Sequence, residues 1–247
     1  MKYVFYIILS FAWDSCYAQL PPIDTDRPDQ TESVNTIPVR WLQFEAGFGF
    51  QKNDDKEREY LLPSILTKYG ITKNIELRLI TTLQSLKTSS ERAEPGISPV
   101  QIGTKIRLWK EHKYLPQASL IYQAELPFLS SQNKKVKNAA HEVVGLLQHS
   151  LTSKTALGAN MGVAWQTGQA TFFYTLSPGV TFSEKWYGYI EVFGSFSKQQ
   201  IPQHNIDGGI AFYLNPNTKI DVSSGFGIAG EAPLYYIALG FSVRFKP

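Results

Sequence analysis

Histidine, cysteine and clustered carboxylates are the residue types that most often carry chemistry. This chain holds four histidines (His112, His141, His149, His204) and one cysteine, Cys16. A serine nucleophile and a histidine base on one strand must face the same way, which needs an even spacing. His149 and Ser150 are adjacent and point to opposite faces. His141 sits near a loop edge with no serine at matching spacing, His112 lies in a tight turn, and His204 closes a loop. No histidine pair or carboxylate cluster has metal-ligand spacing. Asp24, Asp26 and Asp29 offer oxygens for a Ca²⁺ loop but lack the glycine and terminal glutamate of an EF-hand. A solvated segment is the plainer reading of them. The expectation is therefore no catalytic, cofactor-binding or metal-ligating residue, and no enzymatic activity.

The remaining charged residues follow a different rule, because they recur at alternate positions of segments that need such a pattern to form strands. In 41–51, Leu42, Phe44, Ala46, Phe48 and Phe50 share one face and Gln43, Glu45, Gly47 and Gly49 the other, the period of a β-strand. The same alternation sets Ile75, Leu77 and Leu79 against Glu76 and Arg78, and Val100, Ile102 and Ile106 against Gln101, Lys105 and Arg107. It recurs around Leu157–Trp165, Phe172–Phe182, Ile220–Phe226 and Tyr235–Phe245. Weaker members are 60–71, 114–126, 141–151, 186–196 and 205–214. The total is about twelve strands, an even number as single-chain bacterial barrels have.

The connections carry a second signal. Tight turns are expected at 72–74, 110–113, 153–154, 183–185 and 215–217. The alternate set, 52–59, 87–98, 127–139 and 197–204, is longer and more polar. Short periplasmic turns alternating with longer external loops fit an up-and-down antiparallel barrel with both termini in the periplasm. Upstream, Met1-Lys2, an apolar run from Tyr3 to Trp13 and small residues before Gln19 have the form of a secretory signal, with cleavage expected between Ala18 and Gln19. The expected organisation is a signal peptide over 1–18, an irregular periplasmic or luminal segment over 19–40, and an all-β transmembrane barrel over 41–247. Once the signal is removed no cysteine remains, so disulfides and thiolate metal sites are excluded.

Alternation alone does not say which face meets water, since a soluble barrel can turn its apolar face inward around a ligand. Three features favour the inverted arrangement. The polar faces carry glycines and charges of both signs, suited to a hydrated or ion-paired lumen: Glu45, Glu76, Arg78, Lys105, Arg107, Glu125, Glu142, Glu191, Asp221 and Arg244. Aromatics gather near strand ends (Trp41, Trp109, Trp165, Trp186, Tyr235, Tyr236), as interfacial girdles do. The chain also ends in a strand that alternates toward Phe245. On this assignment Glu76 and Arg78 neighbour Lys105 and Arg107, and Glu45 is expected to approach Arg244 across the barrel closure. The segment 19–40 is a candidate plug through Asp26 and Arg27, with Arg27 pairing an inward carboxylate such as Glu125 or Glu191. The formal net charge of +3 is spread along the chain, so the massed positive face that nucleic acid requires is missing. No apolar run reaches the roughly 20 residues of a spanning helix.

The segment Asp24-Thr25-Asp26-Arg27-Pro28-Asp29-Gln30-Thr31-Glu32-Ser33, followed by the Leu42–Gly49 strand, resembles the start of the outer-membrane transporter barrels named for the meta-pathway of phenol degradation, a family abundant in Bacteroidetes. Val100-Gln101-Ile102-Gly103-Thr104-Lys105 is similar to that family's Gly-x-Lys strand. Ile206-Asp207-Gly208-Gly209 through Asn215-Pro216-Asn217 and Asp221 is similar to its penultimate hairpin. The chain departs from the pattern in placing Lys246-Pro247 after the final aromatic. The resemblance implies an outer-membrane barrel that admits hydrophobic or aromatic compounds.

The leading expectation is a barrel that passes small molecules passively through the bacterial outer membrane by a narrow or plugged path, without a cofactor. Its expected partners are outer-membrane lipid, the barrel-assembly machinery and a small solute. The alternatives are a closed barrel with a structural or binding role and, third, an outer-membrane lipid-modifying hydrolase.

Overall fold

A computed structural model of the chain describes residues 20–54, 57–87 and 94–247. The expected signal peptide and its cleavage point lie outside the described residues. The alternating segments become long antiparallel strands: β1 (Leu42–Lys52), β2 (Arg58–Thr72), β3 (Ile75–Lys87), β4 (Glu94–Ile97), β5 (Val100–Trp109), β6 (Gln117–Leu126), β7 (His141–Ser150), β8 (Thr155–Gln166), β9 (Gln169–Ser183), β10 (Trp186–Ser197), β11 (Gln203–Asn215), β12 (Thr218–Gly230) and β13 (Tyr235–Phe245). Each pairs with its sequence neighbour. The ring closes where β1 meets β13, from Leu42 opposite Phe245 to Lys52 opposite Tyr235.

Twelve of these strands form the closed wall. The short β4, which the alternation does not announce, extends β5 beyond Ser98-Pro99 and pairs with the far end of β3, while β5 pairs with its near end, Ile75–Ile80. Proline can donate no ladder hydrogen bond, so the strand breaks there.

The connections sort by end. Lys73-Asn74, Glu184-Lys185 and Pro216-Asn217 are tight turns at one end. The opposite end carries the longer loops, with one exception at Thr167-Gly168. Both of those residues have positive φ (54° and 79°), the geometry of a two-residue hairpin whose twist matches the strands. The turn expected at 110–113 is longer, and β6 starts at Gln117 instead of Tyr114. His112 and Leu115 bridge one another, Lys113 takes positive φ, and Pro116 delays the ladder.

The burial pattern decides which face is inside. Phe48, Leu77, Leu79, Ile190, Leu239 and Phe241 are exposed on the exterior, whereas Gln43, Glu45, Lys68, Glu76, Arg78, Lys105 and Glu191 are each at most 3% accessible. Apolar outside and charged inside is the arrangement that a hydrocarbon surround requires. Trp109, Trp165, Trp186 and Tyr235 also face outward near strand ends. Tyr236 does not, contrary to its expected place in the girdle. It points into the lumen, where its hydroxyl donates to Asp207, because it falls on the other parity from Tyr235.

Candidate functional site in the barrel lumen

Residues 20–40 have no sustained periodicity, so they cannot satisfy their backbone in a ladder. The barrel's inward side chains satisfy it instead. The segment enters at the tight-turn end, where Ile23 N–H donates to Pro216 O (2.8 Å) and Arg244 donates to Pro21 O (2.8 Å). It runs inward to Arg27–Gln30 and returns to the same end, where the Thr36 hydroxyl donates to Lys73 O (2.9 Å). Asp24 ties the two limbs together, accepting from Ser33 Oγ and Asn35 Nδ2 at 2.7 Å each. At the exit Arg40 takes φ 63° and donates from its backbone to Gly70 O (2.8 Å), which swings the chain into β1. The result is a closed loop with its ends together, of the Ω type.

Asp26 is the hub of this loop. Its carboxylate receives Lys68 (3.0 Å), Arg78 (2.8 Å) and Lys105 (2.9 Å), and its own N–H donates to Glu45 Oε2 (2.9 Å). Lys68 also pairs with Glu45, and Arg78 with Glu32 (2.7 Å) and Glu76 (3.4 Å). Four carboxylates thus meet three cations within one buried cluster. Burial opposes ionisation of Asp26, but Lys105, Lys68 and Arg78 together overcome it and hold its carboxyl well below the usual range. For Glu32 burial wins and the pKa rises, despite Arg78 nearby. Two carboxyls with unlike environments therefore respond oppositely to pH.

Arg27 forms the second anchor, pairing with Asp221 at 3.2 Å. Its guanidinium lies over Gly47 and Gly240, which face each other across the β1–β13 closure. A Cβ on either glycine would overlap it. Beyond Arg27, Gln30 N–H donates to Glu191 Oε2 (2.7 Å), and the Thr31 hydroxyl contacts both Glu191 and Thr175 Oγ1, the latter at 2.6 Å. Burial pushes Asp29 up to about 7, against the pull of Lys219. On the far wall Val34 completes an apolar cluster with Ile121, Val144 and Leu146.

These contacts position the charges named from the sequence. Glu45, Glu76, Arg78 and Lys105 converge on the loop, Glu191 and Asp221 hold its inner turn, and Arg107 donates to Thr36 Oγ1 (2.9 Å). Glu76 faces Lys105 across the β3–β5 ladder. Glu125 and Glu142 stand apart from the loop, accepting from Gln101 (3.5 Å) and Gln123 (2.9 Å). Arg244 does not meet Glu45. The register sets Gln43 opposite Arg244, and the guanidinium instead binds Asn217 (2.9 Å) and lies over the Trp41 ring. Arg27 reaches Asp221 rather than Glu125 or Glu191; Glu191 accepts from Gln30 and Thr31 of the same loop, and Glu125 from Gln101. Lys68 escaped the sequence reading because its segment, 60–71, alternates weakly, whereas the alternation set Lys219 on the same polar face as Asp221 without naming it among the lumen charges. Both neighbour charges that were legible, Glu45 and Asp221.

Cavities flank the loop. One of about 280 Å³ opens at the tight-turn end between Asp24, Arg27, Asp29 and the 152–155 turn. Another of about 360 Å³ opens toward the long loops, floored by Arg27, Pro28 and Gln30 and walled by Phe193, Asn205 and Tyr236. Arg27 borders both, so the loop and its Asp221 anchor form the partition.

At the tight-turn end, outside the lumen, Glu111 accepts from Ser150 Oγ (2.7 Å) and lies 2.7 Å from His149 Nδ1. The carboxylate separates serine from histidine, so this trio lacks the base–nucleophile contact of a hydrolase. No group of three or more metal-ligating side chains occurs among the described residues.

A family profile described as "Putative MetA-pathway of phenol degradation" matches residues 25–245. Among solved structures the chain is similar to an outer membrane channel from Pseudomonas putida F1, with TM-score 0.71 and 10% identity over 86% of this chain and 98% of that one. It is also similar to the KdgM porin (TM-score 0.57, 11% identity, 82% and 99% covered) and the NanC porin (TM-score 0.55, 9% identity, 83% and 100% covered). At such identities the likeness is one of fold. No protein with a curated description matches the chain.

Proposed function

The chain belongs to the phenol-degradation MetA-pathway family, and on that premise we propose that it is a bacterial outer-membrane channel for small molecules, with residues 20–40 as its plug. The observation that carries this reading is the ion-paired loop spanning the lumen between two cavities, inside a barrel whose exterior is apolar. A twelve-stranded barrel is wide enough to hold a segment of chain and too narrow to leave a broad aqueous pore beside it. Solute passes only when the loop shifts or leaves. On this reading passage is passive. The family description points to small aromatic molecules as the solutes to test first.

Liposome swelling tests the proposal, with the full mature chain compared against a form lacking residues 20–40. The deletion is expected to accelerate entry of small neutral and aromatic solutes. Equal rates would remove the plug from the account. Impermeability of both forms would favour a sealed barrel with a structural or binding role.

A further inference from the structure

We propose that Glu125, Glu142 and Gln123 hold a calcium ion inside the long-loop mouth of the barrel, at the root of the 127–140 loop.

Strand register assembles the site. Gln101 stands opposite Glu125 across β5 and β6, and Gln123 opposite Glu142 across β6 and β7. Residues directly opposite share a face, and so do Gln123 and Glu125, two apart on β6. All four side chains therefore project into the lumen from three adjacent strands. Glu125 and Glu142 are diagonal neighbours, about 7–8 Å apart at the backbone, a gap that long side chains span.

Small residues leave room between them. Gly103 lies opposite Gln123, and Ala164 opposite Glu142. The space is a cavity of about 80 Å³ lined by Gln101, Gln123, Glu125, Glu142, Ala140 and Ala164 among others. That volume takes a cation with several waters still on it.

The charge in this corner is of one sign. Among the described residues no cationic side chain lies within ion-pair distance of Glu125 or Glu142, whereas Asp26 meets three. Each accepts instead from a neutral amide, Glu125 from Gln101 (3.5 Å) and Glu142 from Gln123 (2.9 Å). An orphaned acceptor is the second, independent feature. Gln123 is only 8% accessible. With its Nε2 turned to Glu142, its Oε1 is buried without a hydrogen-bond partner. A buried acceptor left so is costly, and a cation beside it removes that cost.

The donor set selects a hard ion. Transition metals favour imidazole or thiolate, and the one imidazole nearby, His141, turns outward onto Tyr122 and Trp165. Ca²⁺ accepts carboxylate, amide and water oxygens in irregular sets of about six to eight, whereas Mg²⁺ demands a near-ideal octahedron. Two carboxylates balance its charge. Because the ligands come from neighbouring strands, no spacing within one segment announces them.

The ion would fasten the loop at its root. Glu125 lies just before the loop leaves β6, and Glu142 just after it enters β7. Glu125 N–H already donates to Ala140 O (2.9 Å), and Gln166 Nε2 to Asn138 O (2.7 Å).

Calorimetric titration of the refolded mature chain with CaCl₂, and separately with MgCl₂, tests this. Wild type is expected to bind one Ca²⁺ with a dissociation constant on the order of 10⁻⁴–10⁻³ M, and Mg²⁺ about tenfold more weakly. Glu142→Gln and Gln123→Leu should each weaken Ca²⁺ binding about tenfold, since ligand number and charge set the affinity. Glu59→Gln is the control, because Glu59 also accepts from a glutamine, Gln84, yet does not line the cavity. It should bind as wild type does. Ca²⁺ should also slow proteolysis within 127–140 in wild type and not in Glu142→Gln. No binding by wild type up to about 10 mM Ca²⁺, tenfold beyond the weakest constant expected, overturns the site. Unchanged affinity in folded Glu142→Gln or Gln123→Leu does the same. Equal loss in Glu59→Gln would mean diffuse attraction of ions to the mouth, and also overturns it. The heat-dependent gel shift of a folded barrel is checked for every variant, and the wild-type titration stands as a test even where a variant fails to fold.

Discussion

Asp26 faces Lys68, Arg78 and Lys105 at 2.8–3.0 Å inside a lumen from which bulk water is excluded by the loop itself. Removing one member of such a buried set leaves uncompensated charge, at a cost of about 3–5 kcal/mol. Asp26→Asn should therefore release the loop while leaving the barrel folded. Limited proteolysis should then cut within 20–40 at least a hundredfold faster than in wild type, with the barrel band intact. pH acts on the loop in two directions. Asp29 has a carboxyl raised from 3.8 to about 7 by burial, so the docked loop binds a proton that the released loop does not. Its contribution to docking is full below 3.8 and is lost as pH rises to about 7. Asp26, depressed by its three cations, contributes in the opposite sense, and its share is lost only as pH falls below the usual carboxylate range. Protection of the loop should thus decline as pH is raised from about 4 to about 7, and Asp29→Asn should flatten that decline.

Strand pattern was the most legible part of this molecule, because a period of two exposes each side chain's face directly to inspection. Phe44, Phe48 and Glu45 reveal β1 without any structure, and the turn residues reveal which ends are tight. The loop's destination was less legible. Asp26 and Arg27 were recognisable as plug candidates, but their partners depend on how far each strand is staggered against the next, and stagger leaves no trace in one sequence. That is why Arg27 finds Asp221, and Arg244 faces Gln43 with Glu45 two residues away. β4 was illegible because four residues, with Pro95 and Gly96 at their centre, carry too little alternation to read. The exterior assignment makes its own prediction at this scale. Ile210, midway along β11 and 46% accessible, faces hydrocarbon, so Ile210→Arg should destabilise the inserted barrel by about 2–4 kcal/mol. Equilibrium refolding into vesicles would measure that cost, and a negligible change would mean that the exterior does not face lipid there.

At the scale of the whole molecule, a closed wall of strands and a separate loop divide the labour. The wall is held by a continuous ladder and needs no side-chain contact to stay shut. The loop is held by side-chain contacts, a few buried charge pairs, hydrogen bonds and the packing of Val34, that the wall itself does not need. On the proposed plug reading, opening asks for movement of about twenty residues inside a rigid frame, a hinge placed at Arg40 and not a deformation of the barrel. The most direct measurement of that division uses Thr31 and Thr175, whose hydroxyls lie 2.6 Å apart, one on the loop and one on β9. Thr31→Cys/Thr175→Cys, produced without residues 1–18 and therefore with no other cysteine, can be locked by oxidation and released by dithiothreitol during a single-channel recording. Current steps and solute flux should be absent in the oxidised form and return on reduction. Identical flux in the locked and released forms would contradict the account, because solute would then be crossing without any displacement of the loop.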